Sequence, residues 1–309
     1  MIKGLLNVIR ANGDRGAVIP FHRIDDIKKD MIALKNGDYH PKWLDRMANN
    51  ITDSANKFIP SDILFQPQSL ITVIMPSPKL ILKFQYYEEA VEVVVPPHYM
   101  NWDIKNKKAL QYISGYLASR GFSAVMAVTL PHKLLAVHCG LGKYGRNNIC
   151  YNEKFGSYMQ IMTYISDLPC DESEWFSIKR METCDQCHAC VNACPTGAID
   201  IGRRLINSDR CITVVNESSG EFPEWVKEDM HNSITGCTKC QDYCPYNAIN
   251  KDNVVTGAVF EKKETLELLN HANYKPYTGE LAAKLNGTGI APEFLAQFPR
   301  NLSVLLMKK

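Results

Sequence analysis

Eight of the eleven cysteines in this 309-residue chain fall into two runs: Cys184, Cys187, Cys190 and Cys194 followed by Pro195, then Cys211, Cys237, Cys240 and Cys244 followed by Pro245. A C-x2-C-x2-C-x3-C-P run is the bacterial ferredoxin pattern, in which three cysteines hold one 4Fe-4S cluster and the fourth crosses to another. Three thiolates on one tight loop reach three corners of a cube, and the chain beyond them carries the next sulfur to a second cube. The simplest assignment places Cys184, Cys187, Cys190 and Cys244 on one cluster, and Cys194, Cys211, Cys237 and Cys240 on the other. Cys211 is the unusual member, 26 positions upstream of Cys237. C-x2-C pairs also hold structural zinc, but two cubes account for all eight sulfurs. Two such clusters form a relay for single electrons. Cys139, Cys150 and Cys170 are left over and read as buried packing thiols.

Those cysteines need a frame. The length allows two domains, or one large domain with an inserted module. Cysteines crowded into one half of a chain, with no secretory leader at Met1–Arg10, point to metal ligation in a reducing compartment, the cytoplasm, rather than to a cross-linked secreted scaffold. No apolar stretch approaches the roughly 18 to 20 residues that cross a bilayer, so no membrane partner is expected. A net charge of +2, from 35 basic and 33 acidic side chains, supplies no broad pull toward nucleic acid.

Alternating β-branched runs and helical periods predict a mixed α/β unit over residues 1–169. Strands are expected at Leu70–Met75, Val91–Val95 and Ala124–Val128. Leu110, Ile113 and Leu117 recur at helical spacing before Gly121, a helix terminator. Gly140–Gly156, rich in glycine and asparagine, reads as a loop leading to a helix around Tyr158–Ile165. The cluster module is expected over 170–250, and a helical segment over 251–309 has helices around Glu261–Ala272 and Pro292–Met307.

Three stretches carry a resemblance: Pro67-Gln68-Ser69-Leu70-Ile71; His138 through Asn148 (H-C-G-L-G-K-Y-G-R-N-N) with the later Phe155-Gly156-Ser157; and the cysteine module with its displaced member. Together they resemble the epoxyqueuosine reductases and the related reductive dehalogenases. A dinucleotide reading of the glycines fails, since no acidic residue stands at the expected later position. The resemblance implies an α+β fold, with a nitroreductase-like α/β core binding base-off cobalamin and a ferredoxin-like double-cluster module. It places Gly140, Leu141, Gly142, Lys143, Gly145, Arg146, Asn147, Asn148 and Ser157 against the corrin ring, glycines allowing close approach and polar groups donating to its amide and phosphate oxygens. The D-x-H-x-x-G pattern of proteins that ligate cobalt through histidine is absent; Asp38-Tyr39-His40 begins like it but continues Pro41-Lys42-Trp43.

The chain departs from the reductases at one point. They carry a proton-donating aspartate in a short segment ahead of the glycine-rich loop, and the corresponding Met126–Pro131 contains no carboxylate. The helical extension that follows the clusters in many members is reduced to a first helix from Arg300-Asn301-Leu302. Tyr99, Asp103 and His132 are the alternative acids. The expectation is therefore a cobalamin-dependent iron-sulfur oxidoreductase acting on a small organic substrate and fed by ferredoxin or flavodoxin, with tRNA not expected as a partner. The alternatives are epoxyqueuosine reduction in tRNA and an electron carrier without cobalamin.

Overall fold

The computed structural model describes residues 1–36, 58–61, 63–171, 174–178, 180–203, 205–271 and 276–307. The Asp38–Trp43 stretch lies outside them. In chain order the elements are α1 (Ile2–Ala11), β1 (Arg15–Pro20), α2 (Ile24–Lys35), β2 (Ser69–Pro76), β3 (Lys79–Tyr86), β4 (Glu89–Val95), α3 (Trp102–Ala118), β5 (Ala124–Met126), α4 (His132–His138), β6 (Lys143–Tyr144), β7 (Cys150–Tyr151) and β8 (Met159–Ser166). After these come α5 (Ala189–Ala193), α6 (Ile212–Glu217), α7 (Lys239–Asp242), β9 (Val254–Phe260), α8 (Lys262–Leu269), α9 (Gly279–Gly287), α10 (Pro292–Leu295) and α11 (Phe298–Leu306). No helix among the described residues is long and apolar enough to cross a membrane.

The chain divides into two compact units that alternate along the sequence: Met1–Pro76, Ile104–Cys187 and Arg203–Leu205 in one, Ser77–Asp103, His188–Gly202 and Ile206–Lys309 in the other. The first is built on a four-stranded antiparallel sheet in the order β1-β2-β8-β5. Successive residues of β8 face opposite ways. Ile165 joins a core with Ile24, Ile27 and Met31 of α2 and Leu134 and Leu135 of α4, while the Tyr164 hydroxyl donates to the Asn106 carbonyl of α3, 3.1 Å away.

That two-sided burial corrects one expectation. Tyr158–Ile165 is not a helix; Met159–Ser166 is the strand at the middle of the sheet, paired with β2 along its whole length and with β5 at its end. A strand covered on both faces loses the apolar-polar alternation that identifies strands, and a short apolar run then looks the same in either state. The predicted strands at 70–75 and 91–95 are present as β2 and β4, and the 124–128 strand stops at Met126. Gly121, at φ +79°, ends the turn after α3, with Phe122 N–H returning to the Leu117 carbonyl.

The second unit carries a three-stranded sheet, β4-β3-β9, in which β3 runs antiparallel to β4 and parallel to β9. Its core joins Leu80, Leu82 and Phe84 to Phe260, Leu268, Leu285, Phe298 and Leu302, and the Phe84 and Phe260 rings stack with centroids 4.7 Å apart. The helix expected at 261–272 is α8, with Ala272 outside the described residues. The one expected at 292–307 is broken into α10 and α11 at Ala296-Gln297, with Pro299 in the first turn of α11. Helix α9 was not foreseen: only Leu281 and Leu285 mark its buried face, and glycines at both ends read as turns.

Candidate metal centre and cofactor loop

The glycine-rich loop starts where α4 ends. Gly140 takes φ +72°, and the Gly140 and Leu141 N–H groups return to the Val137 and Ala136 carbonyls at 3.1 and 2.9 Å. This is a left-handed helix stop, for which glycine is the least strained residue. Strands β6 and β7 then pair as a small hairpin, closed by Asn148 N–H on the Gly145 carbonyl and Gly145 N–H on the Ile149 carbonyl. Asn147 serves the same turn, its amide donating to the Tyr151 hydroxyl at 2.8 Å and its oxygen accepting from Ile149 N–H. A Cβ on Gly142 would stand 2.5 Å from Cys150 Sγ, and one on Gly145 would stand 2.7 Å from the Tyr151 ring.

The expected corrin contacts therefore divide. Gly142, Gly145 and Asn147 are used by the hairpin itself. Arg146, 4% exposed, gives Nη2 to the Cys184 carbonyl, and Met181 N–H bonds the Tyr144 carbonyl, so the loop holds the stretch that leads to the first cluster cysteine. Ser157 is buried. Gly140 and Lys143 are exposed, and Leu141 and Asn148 are half-buried. A flat ring could meet main chain at Gly140–Lys143 on the side away from Phe176, whose ring would stand 2.7 Å from a Cβ on Gly140.

The cysteines sit on short turns and helices. Cys184 closes a 3-10 turn over Glu182–Cys184, Cys190 lies in α5 with Cys194 just past its end, and Cys211 caps the start of α6. Cys240 lies in α7, with Cys237 shortly before it and Cys244 shortly after. Cys194, Cys211 and Cys237 share one electrostatic environment. Burial pushes the Cys237 thiol up to about 12, and the charges of Cys211 and Cys194 push it further in the same direction. Cys211 is raised by burial too, opposed by the Thr213 and Val214 groups that hydrogen-bond it and reinforced by Cys194. Buried thiols that resist ionisation alone become good thiolate ligands when cations compensate them. The donor set therefore fits an iron-sulfur cluster. Among the described residues no three His, Cys, Asp or Glu side chains converge as they would on a single ion; the thiolates of a cubane each bind a different iron and stand farther apart than the ligands of one ion.

The remaining thiols are held protonated. Burial lifts Cys139 and Cys150 to about 12 each, and Cys170 is raised for the same reason. The three candidate acids sit on three different elements. Tyr99 is buried in the second unit, its hydroxyl donating to Glu217, and burial with the neighbouring Glu217 charge raises its pKa well above the phenol range. Asp103 is exposed in the first turn of α3. His132 opens α4 in the first unit. Burial lowers it to about 4, so its ring is neutral, with Nε2–H on the Val128 carbonyl at 3.2 Å and Nδ1 without a hydrogen-bond partner. Val128, in the segment that lacks a carboxylate, is 54% exposed.

Three further residues at the cysteines gave no signal in the sequence: Asn216, Glu217 and Asn301. Asn216 and Asn301 are fully or almost fully buried and bonded to main chain next to the ligand-bearing turns. A buried asparagine looks like any loop residue until its partners are known.

Comparison with known proteins agrees with this arrangement. Residues 183–247 match the 4Fe-4S double cluster binding domain. Epoxyqueuosine reductases are homologues of the chain: that of Staphylococcus aureus is 29% identical over 170 residues, 53% of this chain and 43% of its own length. The chain thus spans less than half of that relative. The Bacillus subtilis epoxyqueuosine reductase, solved with its catalytic aspartate loop swung out of the active site, shares the fold at TM-score 0.67 and 18% identity, over 98% of this chain and 80% of its own. An epoxyqueuosine reductase with an epoxyqueuosine-modified tRNA-Tyr stem loop matches at TM-score 0.64 and 17% identity over the same shares. This overturns the expectation that tRNA is not a partner. That expectation rested on one short segment without a carboxylate and on a reduced helical extension, and the homologous reductases, one of them solved with a tRNA stem loop, count against it.

Proposed function

We propose that this chain, as a homologue of the epoxyqueuosine reductases, is an iron-sulfur reductase that removes the epoxide oxygen from a modified nucleoside carried in tRNA. The reaction consumes two electrons and two protons, and releases the oxygen as water with formation of a carbon-carbon double bond. An external one-electron carrier must supply the electrons. The observation that carries this reading is the double-cluster match over residues 183–247 within a chain whose relatives are named for that reduction.

In this reading Cys184, Cys187, Cys190 and Cys244 hold one cluster, and Cys194, Cys211, Cys237 and Cys240 hold the other. Residues 1–169, apart from Ser77–Asp103, which packs in the second unit, would provide a nitroreductase-like core for cofactor and substrate, and residues 170–250 the electron relay. Base-off cobalamin against the Gly140–Lys143 main chain would supply a low-valent cobalt centre able to reduce a carbon-oxygen bond. Arg146 bonds the Cys184 carbonyl and so ties the loop to the turn that carries that cysteine. The proton is the open role. The Tyr99 hydroxyl is engaged with Glu217 and the His132 Nε2–H with the Val128 carbonyl, whereas Asp103 is the exposed carboxyl among the three candidates.

One observation favours a second reading, a small organic substrate: the Met126–Pro131 segment, from which the reductases present their acid, here presents Val128. A single experiment separates the two. Protein purified without oxygen should contain about eight irons and shift the visible band of added cobalamin. Supplied with a reduced one-electron donor, it should convert epoxyqueuosine in tRNA to queuosine. Loaded protein that leaves the tRNA unchanged but reduces the free nucleoside favours the small-substrate reading, and about four irons or no corrin shift defeats both.

A further inference from the structure

The displaced cysteine sets a mechanical problem. Three ligands of the second cluster come from Cys194 and the Cys237–Cys240 turn, but Cys211 arrives on a separate arm and must be held in place across a long intervening segment. We infer that the last helix, α11, solves this: Asn301 and Arg300 are positioning residues for the second cluster, acting through Asn216 on the arms that carry Cys211 and Cys237. The inference rests on the cluster assignment proposed above.

The bonds run in two steps. Asn216 lies in α6, the helix that Cys211 caps, with the Val215 N–H returning to the Cys211 carbonyl at 3.2 Å. Its side-chain amide donates to the carbonyl of Gly236, the residue before Cys237, at 2.8 Å, and to Ser233 at 3.4 Å. Its oxygen accepts from His231 Nδ1 at 2.9 Å. One buried amide therefore ties the Cys211 arm to the Cys237 arm. Asn301 repeats the tie from outside, its amide donating to the Asn216 carbonyl at 2.9 Å and to the Ile234 carbonyl at 2.8 Å.

Arg300 secures the end of α6. A helix of six residues leaves its last carbonyls without helical partners, and Arg300 Nη2 reaches those of Val215 and Asn216 at 3.0 and 3.5 Å. A cation there is also favoured by the helix dipole. The same guanidinium bonds Asn301 Oδ1, which turns the Asn301 amide toward its two carbonyls, and lies over the Phe222 ring. On the other side Tyr99 packs against Gly236, where a Cβ would stand 2.6 Å from the phenol oxygen, and bonds Glu217 at the end of α6. The bonds of this set run to the arms that carry Cys211 and Cys237, so its loss should be felt most at the second cluster.

Asn301→Asp tests this, because it keeps the side chain's shape and removes both donors; Arg300→Lys is the milder partner, keeping the charge and losing the fork. Each is compared with the wild-type protein, purified without oxygen, by iron content, by the electron paramagnetic resonance of the reduced clusters and by the midpoint potential of each. The expected result is a fall from about eight irons toward about four in Asn301→Asp with the first cluster's signal intact, and a shifted second potential in Arg300→Lys. Full iron with both potentials unchanged in the two variants would overturn the inference, as would parallel loss of both clusters, which would mean general unfolding. If the wild type itself holds four irons or none, the cluster assignment has failed instead.

Discussion

Cys211 and Cys150 are both half-hidden or buried thiols with raised pKa values, and under the proposed assignment one is a ligand and the other is not. Cys211 shares its surroundings with Cys194 and Cys237, whereas Cys150 packs beneath Gly142 and keeps its proton. Replacing Cys211 with serine should remove about half of the iron, measured after anaerobic purification, while Cys150→Ser should keep all of it. His132 gives a pH prediction. Its folded-state pKa of about 4 lies below the unfolded value of 6.5, so the unfolded chain binds the extra proton between these limits. Stability is complete above pH 6.5 and falls as pH drops toward 4, by about 1.4 kcal/mol per pH unit from this group. His132→Gln should flatten the dependence of the denaturation midpoint on pH between 6.5 and 5. An unchanged slope would mean that the ring is solvated.

At the level of elements, the glycines of the 140–145 loop serve two purposes that the sequence cannot separate. They suit the approach of a flat cofactor, and they are also required by the hairpin they lie in. Gly142→Ala would bring a methyl to 2.5 Å from Cys150 Sγ and 2.9 Å from the Tyr151 carbonyl oxygen, and such overpacking costs about 1–3 kcal/mol. Gly115→Ala, on α3 with nothing within 4 Å of the new carbon, should gain about 0.5–1 kcal/mol from helix propensity. Denaturant midpoints should move in opposite directions, and equal effects would show that the hairpin relaxes freely. Strand β8 carries the other lesson at this scale: what its neighbours cover, and not its own pattern, decides whether an apolar octamer is strand or helix.

At the scale of the whole molecule, the proposed tRNA reaction makes a binding prediction. With a net charge of +2, attraction to tRNA must come from a local face, and each phosphate neutralised on a single-stranded loop contributes about −0.7 to the slope of log affinity against log salt. On the proposed reading, binding of a tRNA stem loop through about six phosphates should show a slope of about −4, measured by titration across salt concentrations. A much steeper slope would point to broad backbone binding unrelated to the proposed reaction.

The sequence by itself pointed to a double iron-sulfur cluster. Cysteine spacing is a local property, so the runs Cys184–Cys194 and Cys237–Cys244 could be read as a double-cluster pattern before any fold was known, and the family match over residues 183–247 agrees. Gly121 and the β2 and β4 strands were legible for the same reason, since their determinants lie within a few residues of one another. Tertiary structure alone decided the rest. It placed the Tyr158–Ile165 segment at the centre of a sheet, turned Arg146 from an expected cofactor contact into a tether on the Cys184 turn, and joined Cys211 to Cys237 through Asn216 and Asn301. Each of those outcomes depends on groups distant in sequence meeting in a buried place, where an amide or guanidinium must find partners and where the partners come from the fold and not from the neighbouring residues.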